Sequence, residues 1–330
     1  MKILKLRETQ LALSIVALIL LVGVRAPVFF SIPSLGNLLT DSTLLIMLAL
    51  AQMLVIVTRG VDLSVASNLA LSGMAAALLA SRNPGLPLPV VVLVAIGLGL
   101  VLGLLNGWLI GYLELPPIVV TLGTMSVYRG LVFVLSGGAW VNSHEMPDGF
   151  IAFPLERFLG LTHLVWIAAA AALAVWFLAC HSRFGRDLYA IGNEPSSARY
   201  VGIPIARRLF WTYGLSGAVA GLCGYLWVAR YAVAYTEIAY GFEFTVIAAC
   251  VIGGISIAGG SGSVLGAVLG ALFLGVIGNA LPVVQVSPFW QSALTGLVIL
   301  TAVLINARGN RSKGRQILSL HLTNNARSAV

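Results

Sequence analysis

The chain has 330 residues, of which 59% are hydrophobic and 9% charged, and its mean hydropathy is +1.00. Its roughly 195 apolar residues are enough for about ten membrane spans of roughly 20 residues each, whereas soluble domains carry roughly 25% charged residues. This composition excludes a soluble enzyme and a disordered protein. The net charge of +8 does not indicate a nucleic-acid binder, because the basic residues flank apolar runs and form no stripe.

Ten apolar blocks follow one another along the chain, and they predict an all-α integral membrane protein with about ten transmembrane helices. The blocks are 11–24, 42–58, 63–80, 89–111, 118–136, 164–180, 209–229, 244–257, 264–281 and 290–307. Several are shorter than the roughly 20 residues of a straight crossing. The first block follows Lys2, Lys5 and Arg7, as in a signal peptide, but no small-x-small cleavage site follows it, so we interpret it as the first span.

The distribution of Lys and Arg predicts the orientation of these spans. If the N-terminus lies inside, most basic residues fall in inside segments, and the outside segments hold only Arg25, Arg82, Arg157 and Arg230. Both termini are therefore expected in the cytoplasm. The predicted organisation is a cytoplasmic N-terminus (1–10), a transmembrane domain (11–307) with a cytoplasmic loop at about 181–208, and a basic cytoplasmic tail (308–330).

Glycines recur every four residues in two of the blocks, which places them on one helix face and predicts close helix packing. They are Gly99, Gly103, Gly107 and Gly111 in the block 89–111, and Gly262, Gly266 and Gly270 just before and within the block 264–281. A bundle packed this densely is typical of a channel, a transporter or an intramembrane enzyme.

Two polar, glycine-bearing segments, 60–67 and 254–261, align with a shift of 194 residues and suggest a weak internal repeat with broken helices. Paired broken spans are typical of the functional centre of a transporter, because non-helical backbone at membrane depth is tolerated only where protein or trapped water satisfies it. Two unrelated Gly/Ser loops are the alternative interpretation.

Motifs for enzymatic chemistry are missing from the sequence. It has no phosphate-binding loop, no zinc-binding helix, no Gly-x-Ser-x-Gly elbow and no span with two acidic residues. We therefore predict neither catalytic residues nor a metal site. Asp62 is the notable acidic residue, since charge at membrane depth marks a pathway or a fixed pair. An ion pair with Arg59, three residues away, or a simple turn is the structural alternative.

Four ordered segments resemble those of sugar-importing ABC permeases. They are Thr58–Ser67, Pro116–Gly130, the cytoplasmic stretch Phe184–Ile203 and Val251–Gly266. Arg59 and Ala66 replace glycines of the family pattern. The resemblance extends to about residue 307 and is strongest to permeases of the ribose, rhamnose and autoinducer-2 class. Related amino-acid permeases share this fold and remain an alternative.

The resemblance implies a non-enzymatic transport subunit in the bacterial inner membrane that moves a monosaccharide or autoinducer-2-like solute. Its expected partners are ATP-binding subunits that hold ATP and Mg, a second permease subunit, the same or different, and a periplasmic sugar-binding protein. No cofactor is expected in this chain. The remaining alternatives are an ion-coupled secondary sugar transporter that uses Asp62 and a passive channel.

The resemblance also assigns a role to the stretch between Pro195 and Gly202, which the residues alone predict as a short surface helix or a plain polar connector. It would be the coupling helix that receives the ATPase stroke. The predicted coupling residues are Asn193, Glu194, Ala198, Arg199, Gly202 and Ile203.

The residues predicted to line the path carry hydroxyl, amide or carboxyl groups that suit a neutral polyol. They are Asp62, Ser64, Ser67, Asn68, Asn106, Thr121, Thr124 and Tyr128. Each of them is alternatively a polar tie between helices.

Overall fold

A computed structural model describes residues 2–283 together with residues 290, 293, 296 and 297. The predicted tenth block (290–307) and the predicted basic tail (308–330) lie outside this continuous part. The α-helices of the described part are α1 (Lys2–Arg25), α2 (Ile32–Val57), α3 (Val65–Arg82), α4 (Leu88–Gly111), α5 (Pro117–Ser136), α6 (Asp148–Ala152), α7 (His163–His181), α8 (Arg183–Asn193), α9 (Pro195–Tyr200), α10 (Ile205–Tyr231), α11 (Phe242–Ile252) and α12 (Val264–Val283).

Four two-residue strands accompany the helices in the same part of the chain. β1 (Val141–Asn142) pairs antiparallel with β4 (Val233–Ala234), and β2 (Arg157–Phe158) pairs antiparallel with β3 (Leu161–Thr162). The chain is therefore an all-α protein, and its short strands only pair segments of the loops with each other.

Seven of the described helices are long and apolar enough to cross a membrane: α1, α2, α4, α5, α7, α10 and α12. Nine of the ten predicted blocks contain a helix, but two of those helices do not meet the criterion for a span. α11 has only 11 residues. α3 has 18 residues and carries Ser67, Asn68 and Ser72, all of which are buried. α3 tolerates these polar residues because it faces other helices.

Helix α2 forms the centre of the bundle, with 94% of its most apolar stretch buried, against 22% for α5 and α7. It begins ten residues before the predicted block, because Ser31 accepts a hydrogen bond from the Ser34 amide and Pro33 fits the first turn. It ends where Thr58 and Gly60 both donate to the Val55 carbonyl and Arg59 takes φ +68°.

The two ends of the bundle are identified by contacts between distant segments. At one end, which we call the Arg59 end, Arg59 contacts the end of α8 and Arg199 pairs with Glu114. At the other, the Asp41 end, Arg230 pairs with Asp41 at 2.7 Å and β1 meets β4. The loop predicted inside (181–208) lies at the Arg59 end, and the loop that carries β1, which is predicted outside, lies at the Asp41 end.

Glycines hold α4 against α10. A Cβ on any of Gly99, Gly103, Gly107 or Gly111 would meet the backbone of α10, for example 2.6 Å from the Phe210 carbonyl oxygen at Gly107. We call this contact the α4–α10 glycine interface. The second predicted series differs in one member, because Gly262 precedes α12 and faces Ile255. Gly266 and Gly270 do lie on α12, where they face the backbone of Gly253 and Ala249 at the end of α11.

Candidate functional site

Asp62 lies in the non-helical segment between α2 and α3, and only 2% of it is exposed. Its Oδ1 accepts hydrogen bonds from the Ser64 amide (2.9 Å) and the Ser64 hydroxyl (2.7 Å). This local pattern is an Asx turn, which aspartate favours because its short side chain reaches the backbone two residues on. Its Oδ2 accepts from the Ser216 hydroxyl of α10 at 3.4 Å.

Asn106 of α4 extends this buried group by donating to the Ser64 hydroxyl at 2.8 Å. Its own Oδ1 has no hydrogen-bond partner within the described chain, and neither has the buried hydroxyl of Tyr213. The Tyr213 hydroxyl lies against Gly60, since a Cβ on Gly60 would meet it. We call Asp62, Ser64, Asn106, Tyr213 and Ser216 the polar centre. Buried polar atoms without partners are unusual, and these two atoms each keep the capacity for one further hydrogen bond.

Thr121 joins the polar centre indirectly. Its hydroxyl contacts the Val61 carbonyl of the segment next to Asp62 at 3.1 Å and the Pro117 carbonyl of its own helix at 2.9 Å. It therefore connects α5 to the non-helical segment. Three of the predicted path residues, Asp62, Ser64 and Asn106, thus form one cluster, and Thr121 borders it.

The other predicted path residues form ties to backbone carbonyls. Asn68 donates to Gly99 at 3.1 Å, and Tyr128 donates to Leu102 at 2.8 Å. Ser67 donates to Ser64, and Thr124 donates to Val120 within its own helix. These donors already have acceptors, so the arrangement favours the alternative role of polar ties for them.

Two members of the polar centre, Tyr213 and Ser216, were missed from the sequence. They lie in an apolar stretch of α10, 154 residues from Asp62 in the case of Ser216. The available signal was the pair of polar residues on one helix face, three positions apart, in a long apolar run.

Of the two structural alternatives for Asp62, the structure contains the turn and not the ion pair with Arg59. Arg59 turns away from Asp62, and its Nε and Nη2 donate to the carbonyls of Gly192 (2.8 Å) and Asn193 (2.7 Å) at the end of α8. Its left-handed backbone costs about 1 kcal/mol for a residue with a side chain. The contact satisfies two carbonyls that have no partner inside the helix and places a cation at the negative end of α8.

A third segment completes this contact. The Gly260 amide, from the non-helical segment between α11 and α12, donates to the Val57 carbonyl at the end of α2 (2.9 Å). A Cβ on Gly260 would lie 2.8 Å from Asn193 Cα. We call residues 57–59, 192–193 and 259–260 the Arg59 junction. One of the two segments that the sequence aligned as a weak repeat, 254–261, thus lies against the residues that immediately precede the other, 60–67.

A short helix, α9, occupies the predicted position. Glu194 is its N-cap and accepts from the Ser196 amide at 3.4 Å. Gly202 has φ +80°, and the Ile203 amide donates to the Ala198 carbonyl at 3.1 Å, so these residues end the helix. Ala198 is buried against its own chain. The strongly exposed apolar residues here are Tyr200 (92%) and Val201 (76%), which the sequence reading did not select.

Arg199 pairs with Glu114 at 3.1 Å, and both side chains are 71% exposed. A cavity of about 600 Å³ opens beside this pair, between the α4–α5 turn and the start of α10. Its lining includes Leu115, Ile203 and Leu209. An exposed short helix beside a partly apolar cleft is able to bind a partner protein. In the described part of the chain no group of three His, Cys, Asp or Glu residues is placed to hold a metal ion.

A bundle of membrane-crossing helices with a buried polar centre and broken helices is the architecture of a membrane transport protein. Residues 34–303 match the family described as "Branched-chain amino acid transport system / permease component". The chain belongs to this family of permeases, so it is a transport subunit and a multi-pass membrane protein.

Several curated relatives share most of their length with this chain. It is 35% identical over 303 residues to the autoinducer 2 import system permease protein LsrC of Salmonella typhi, covering 92% of this chain and 86% of the relative. It is 34% identical over 313 residues to LsrC of Klebsiella pneumoniae, covering 95% and 90%. It is 35% identical over 304 residues to LsrC of Escherichia coli, covering 92% and 87%. No solved structure matches the chain.

Proposed function

We propose that this chain is the membrane-spanning subunit of an ABC importer for a small hydroxylated solute, an autoinducer-2-like molecule or a monosaccharide. The observation that carries the proposal is the family match over residues 34–303, joined to relatives that are named autoinducer 2 import permeases. The chain itself binds no nucleotide. ATP and Mg are held by separate ATPase subunits, and a periplasmic binding protein delivers the solute.

The chemistry of the polar centre supports a neutral, hydroxylated solute over an amino acid. Its groups are hydroxyls, one amide and the Asp62 carboxyl, and the Asn106 Oδ1 and the Tyr213 hydroxyl lack partners within the described residues. Hydroxyls and amides both donate and accept, as a polyol requires. An amino acid would call for a cation opposite its carboxylate, and the polar centre contains none.

The distribution of basic residues supports the orientation. Arg59 and the arginine-rich segment 181–208 lie at the same end of the bundle, and Arg7 lies there too, with Nη2 3.5 Å from the Val251 carbonyl next to the α11–α12 segment. Basic segments remain cytoplasmic in multi-pass proteins. We therefore place the Arg59 end in the cytoplasm of a bacterial inner membrane, with α9 facing the ATPase and the Asp41 end facing the binding protein.

The mechanism follows from this placement. The ATPase subunits contact α9 through its exposed residues, and their closure on ATP moves α9 relative to the bundle. Two permease subunits, identical or different, enclose the path between them. The polar centre holds the solute only through hydrogen bonds, so that the solute is released once the bundle opens to the cytoplasm.

Uptake into proteoliposomes tests the proposal. The chain is purified with its ATPase and supplied with its binding protein, and the uptake of labelled autoinducer-2, ribose, rhamnose and leucine is compared with ATP inside or outside the vesicles. We expect ATP-dependent accumulation of a hydroxylated solute, and none when the phosphate-loop lysine of the ATPase is replaced.

Other results would contradict the proposal in distinct ways. Accumulation of leucine alone would favour an amino-acid permease of the same family. Accumulation that follows a pH gradient and needs no ATPase would favour an ion-coupled carrier that uses Asp62. Equilibration without accumulation would indicate a channel.

A further inference from the structure

Arg59 links the short helix α9 to the polar centre through few intervening residues. Asn193, whose carbonyl accepts from Arg59, lies two residues before α9 begins at Pro195. Asp62 lies three residues after Arg59, in the same non-helical segment. The connection from α9 to the buried carboxyl therefore contains no long loop that would absorb a displacement.

The backbones at the Arg59 junction touch directly. A Cβ on Gly192 would lie 2.6 Å from the Gly260 amide nitrogen and would also meet the Val57 carbonyl. The ends of α2 and α8 are thus pressed against the α11–α12 segment, by backbone contact at Gly260 and by the Arg59 side chain at Gly259. The guanidinium of Arg59 fixes the direction of this contact, because its two donors bind two consecutive carbonyls in a planar fork.

Tyr189 provides a second tie from the same helix. Its hydroxyl donates to the Gly262 carbonyl at 3.0 Å, and burial raises the pKa of Tyr189 to about 12, so the hydroxyl remains a donor at neutral pH. α8 is therefore connected to α2 through Arg59 and to the α11–α12 segment through Tyr189. The two non-helical segments are held by one helix.

The residue type at position 59 is informative. The φ of +68° is one that glycine adopts without strain, and the segment resembles a family pattern with glycine at this position. An arginine adds strain to the backbone there. What its side chain gains in return is the pair of hydrogen bonds to Gly192 and Asn193.

We propose that Arg59 is a positioning residue that transmits the displacement of α9 to the polar centre. It holds the end of α8, and thus the start of α9, to the segment that carries Asp62. The proposal rests on the proposed function, because it takes α9 as the element that the ATPase moves. Arg59 itself does not contact the solute.

Variants at position 59 test the proposal in the complete importer. R59G keeps the left-handed backbone without strain and removes both hydrogen bonds. R59K retains the positive charge but not the planar guanidinium that donates to two carbonyls at once. R82G is the matched control, since Arg82 ends α3 at about 27 Å along the helix from the polar centre. Uptake and ATP hydrolysis are measured in the same proteoliposomes, with and without binding protein.

We expect R59G to lower the amount of solute imported per ATP hydrolysed by about tenfold, and R59K by less, within the usual range of coupling between sites. Hydrolysis by R59G should continue and depend less on the binding protein. R82G should match the unmodified complex. A merely structural role would lower uptake and hydrolysis together and leave their ratio unchanged.

The outcomes separate this inference from the proposed function. If the unmodified complex shows no ATP-dependent uptake, the proposed function fails before any variant is compared. If the unmodified complex transports and R59G has the same uptake per ATP, or loses both activities in proportion, the role of Arg59 is overturned while the proposed function stands.

Discussion

The α4–α10 glycine interface and the Arg59 junction both bring backbones into contact, but they are held differently. At the glycine interface, four glycines on successive turns of α4 meet the backbone of α10. At the junction, three chain segments meet at their ends, and a few hydrogen bonds position them. Close packing over a long surface resists rearrangement, whereas exchanging a few hydrogen bonds costs little. We infer that α4 and α10 move as one unit, and that the junction carries a displacement of α9 for as long as its few hydrogen bonds stay in place.

Filling the glycine interface should have the largest effect. Gly99→Leu places a side chain where the Cβ already meets the Gly217 carbonyl, so we expect a loss of about 3 kcal/mol or more and little folded protein in the membrane. Gly97→Leu on the same helix is the matched control, because nothing lies within 4 Å of its Cβ. Fluorescence-detected size-exclusion chromatography measures the folded fraction. Equal losses for both variants would contradict a rigid interface at Gly99.

Changing the polar centre should reduce transport with less effect on folding. Asn106→Leu combined with Thr121→Leu removes the donor to Ser64 and the tie to Val61. We expect uptake per folded protein to fall about tenfold at saturating binding protein, corresponding to about 1.4 kcal/mol. Asn279→Leu is the control, since that amide donates to Gly275 in its own helix. Uptake unchanged by the double variant would leave both residues as helix ties.

Replacing Glu194 and Arg199 should lower uptake per ATP hydrolysed and leave stability nearly unchanged. The Arg199–Glu114 pair is strongly exposed, and such surface pairs contribute about 0–1 kcal/mol. E194Q with R199Q is therefore expected to keep its melting temperature while uptake per ATP falls. E114Q distinguishes the roles of Arg199, because it breaks the same ion pair. If E114Q alone reproduces the loss, the pair itself matters, and Arg199 does not act through a partner protein.

The tie from Tyr189 should show the smallest effect, and its pH dependence has a defined sign. Tyr189→Phe removes one hydrogen bond worth about 1 kcal/mol. Because burial raises the pKa of Tyr189 from its ordinary value of 10 to about 12, its stabilisation is constant below about pH 10 and is lost as the pH rises toward 12. The melting temperature of Tyr189→Phe in detergent should therefore lie below that of the unmodified protein by the same amount at pH 6 and at pH 9. A difference that changes between these pH values would contradict this assignment.

The sequence predicted most of the helices because apolar runs and glycine spacing are local signals. It did not predict that α2 begins at Ile32, since a serine cap and a proline extend the helix beyond its apolar block. It correctly selected the segment around Asp62 as broken. The roles of the selected path and coupling residues are not tested by the structure and remain predictions.

The contacts that assemble the site join residues far apart in sequence and could not be read from spacing. An ion pair of Arg59 with its near neighbour Asp62 was one of two alternatives from the sequence, yet the partners of Arg59 lie 133 and 134 residues away. The distance rule for helical pairs failed because residues 58–64 are not helical. The glycine that the family pattern has at this position, together with the arginine found here, was the available sign of an unusual backbone.

Helix α10 runs as one continuous rod from the Arg59 end of the bundle to the Asp41 end. Its 27 residues span about 40 Å, starting a few residues after α9 and ending beside β4, which pairs with β1 in the loop between α5 and α7. A rod of that length turns a tilt of about 10° at its base into a sweep of about 7 Å at its tip. A displacement at the Arg59 end is thereby magnified at the Asp41 end, where the loop between α5 and α7 (137–162) would be carried along.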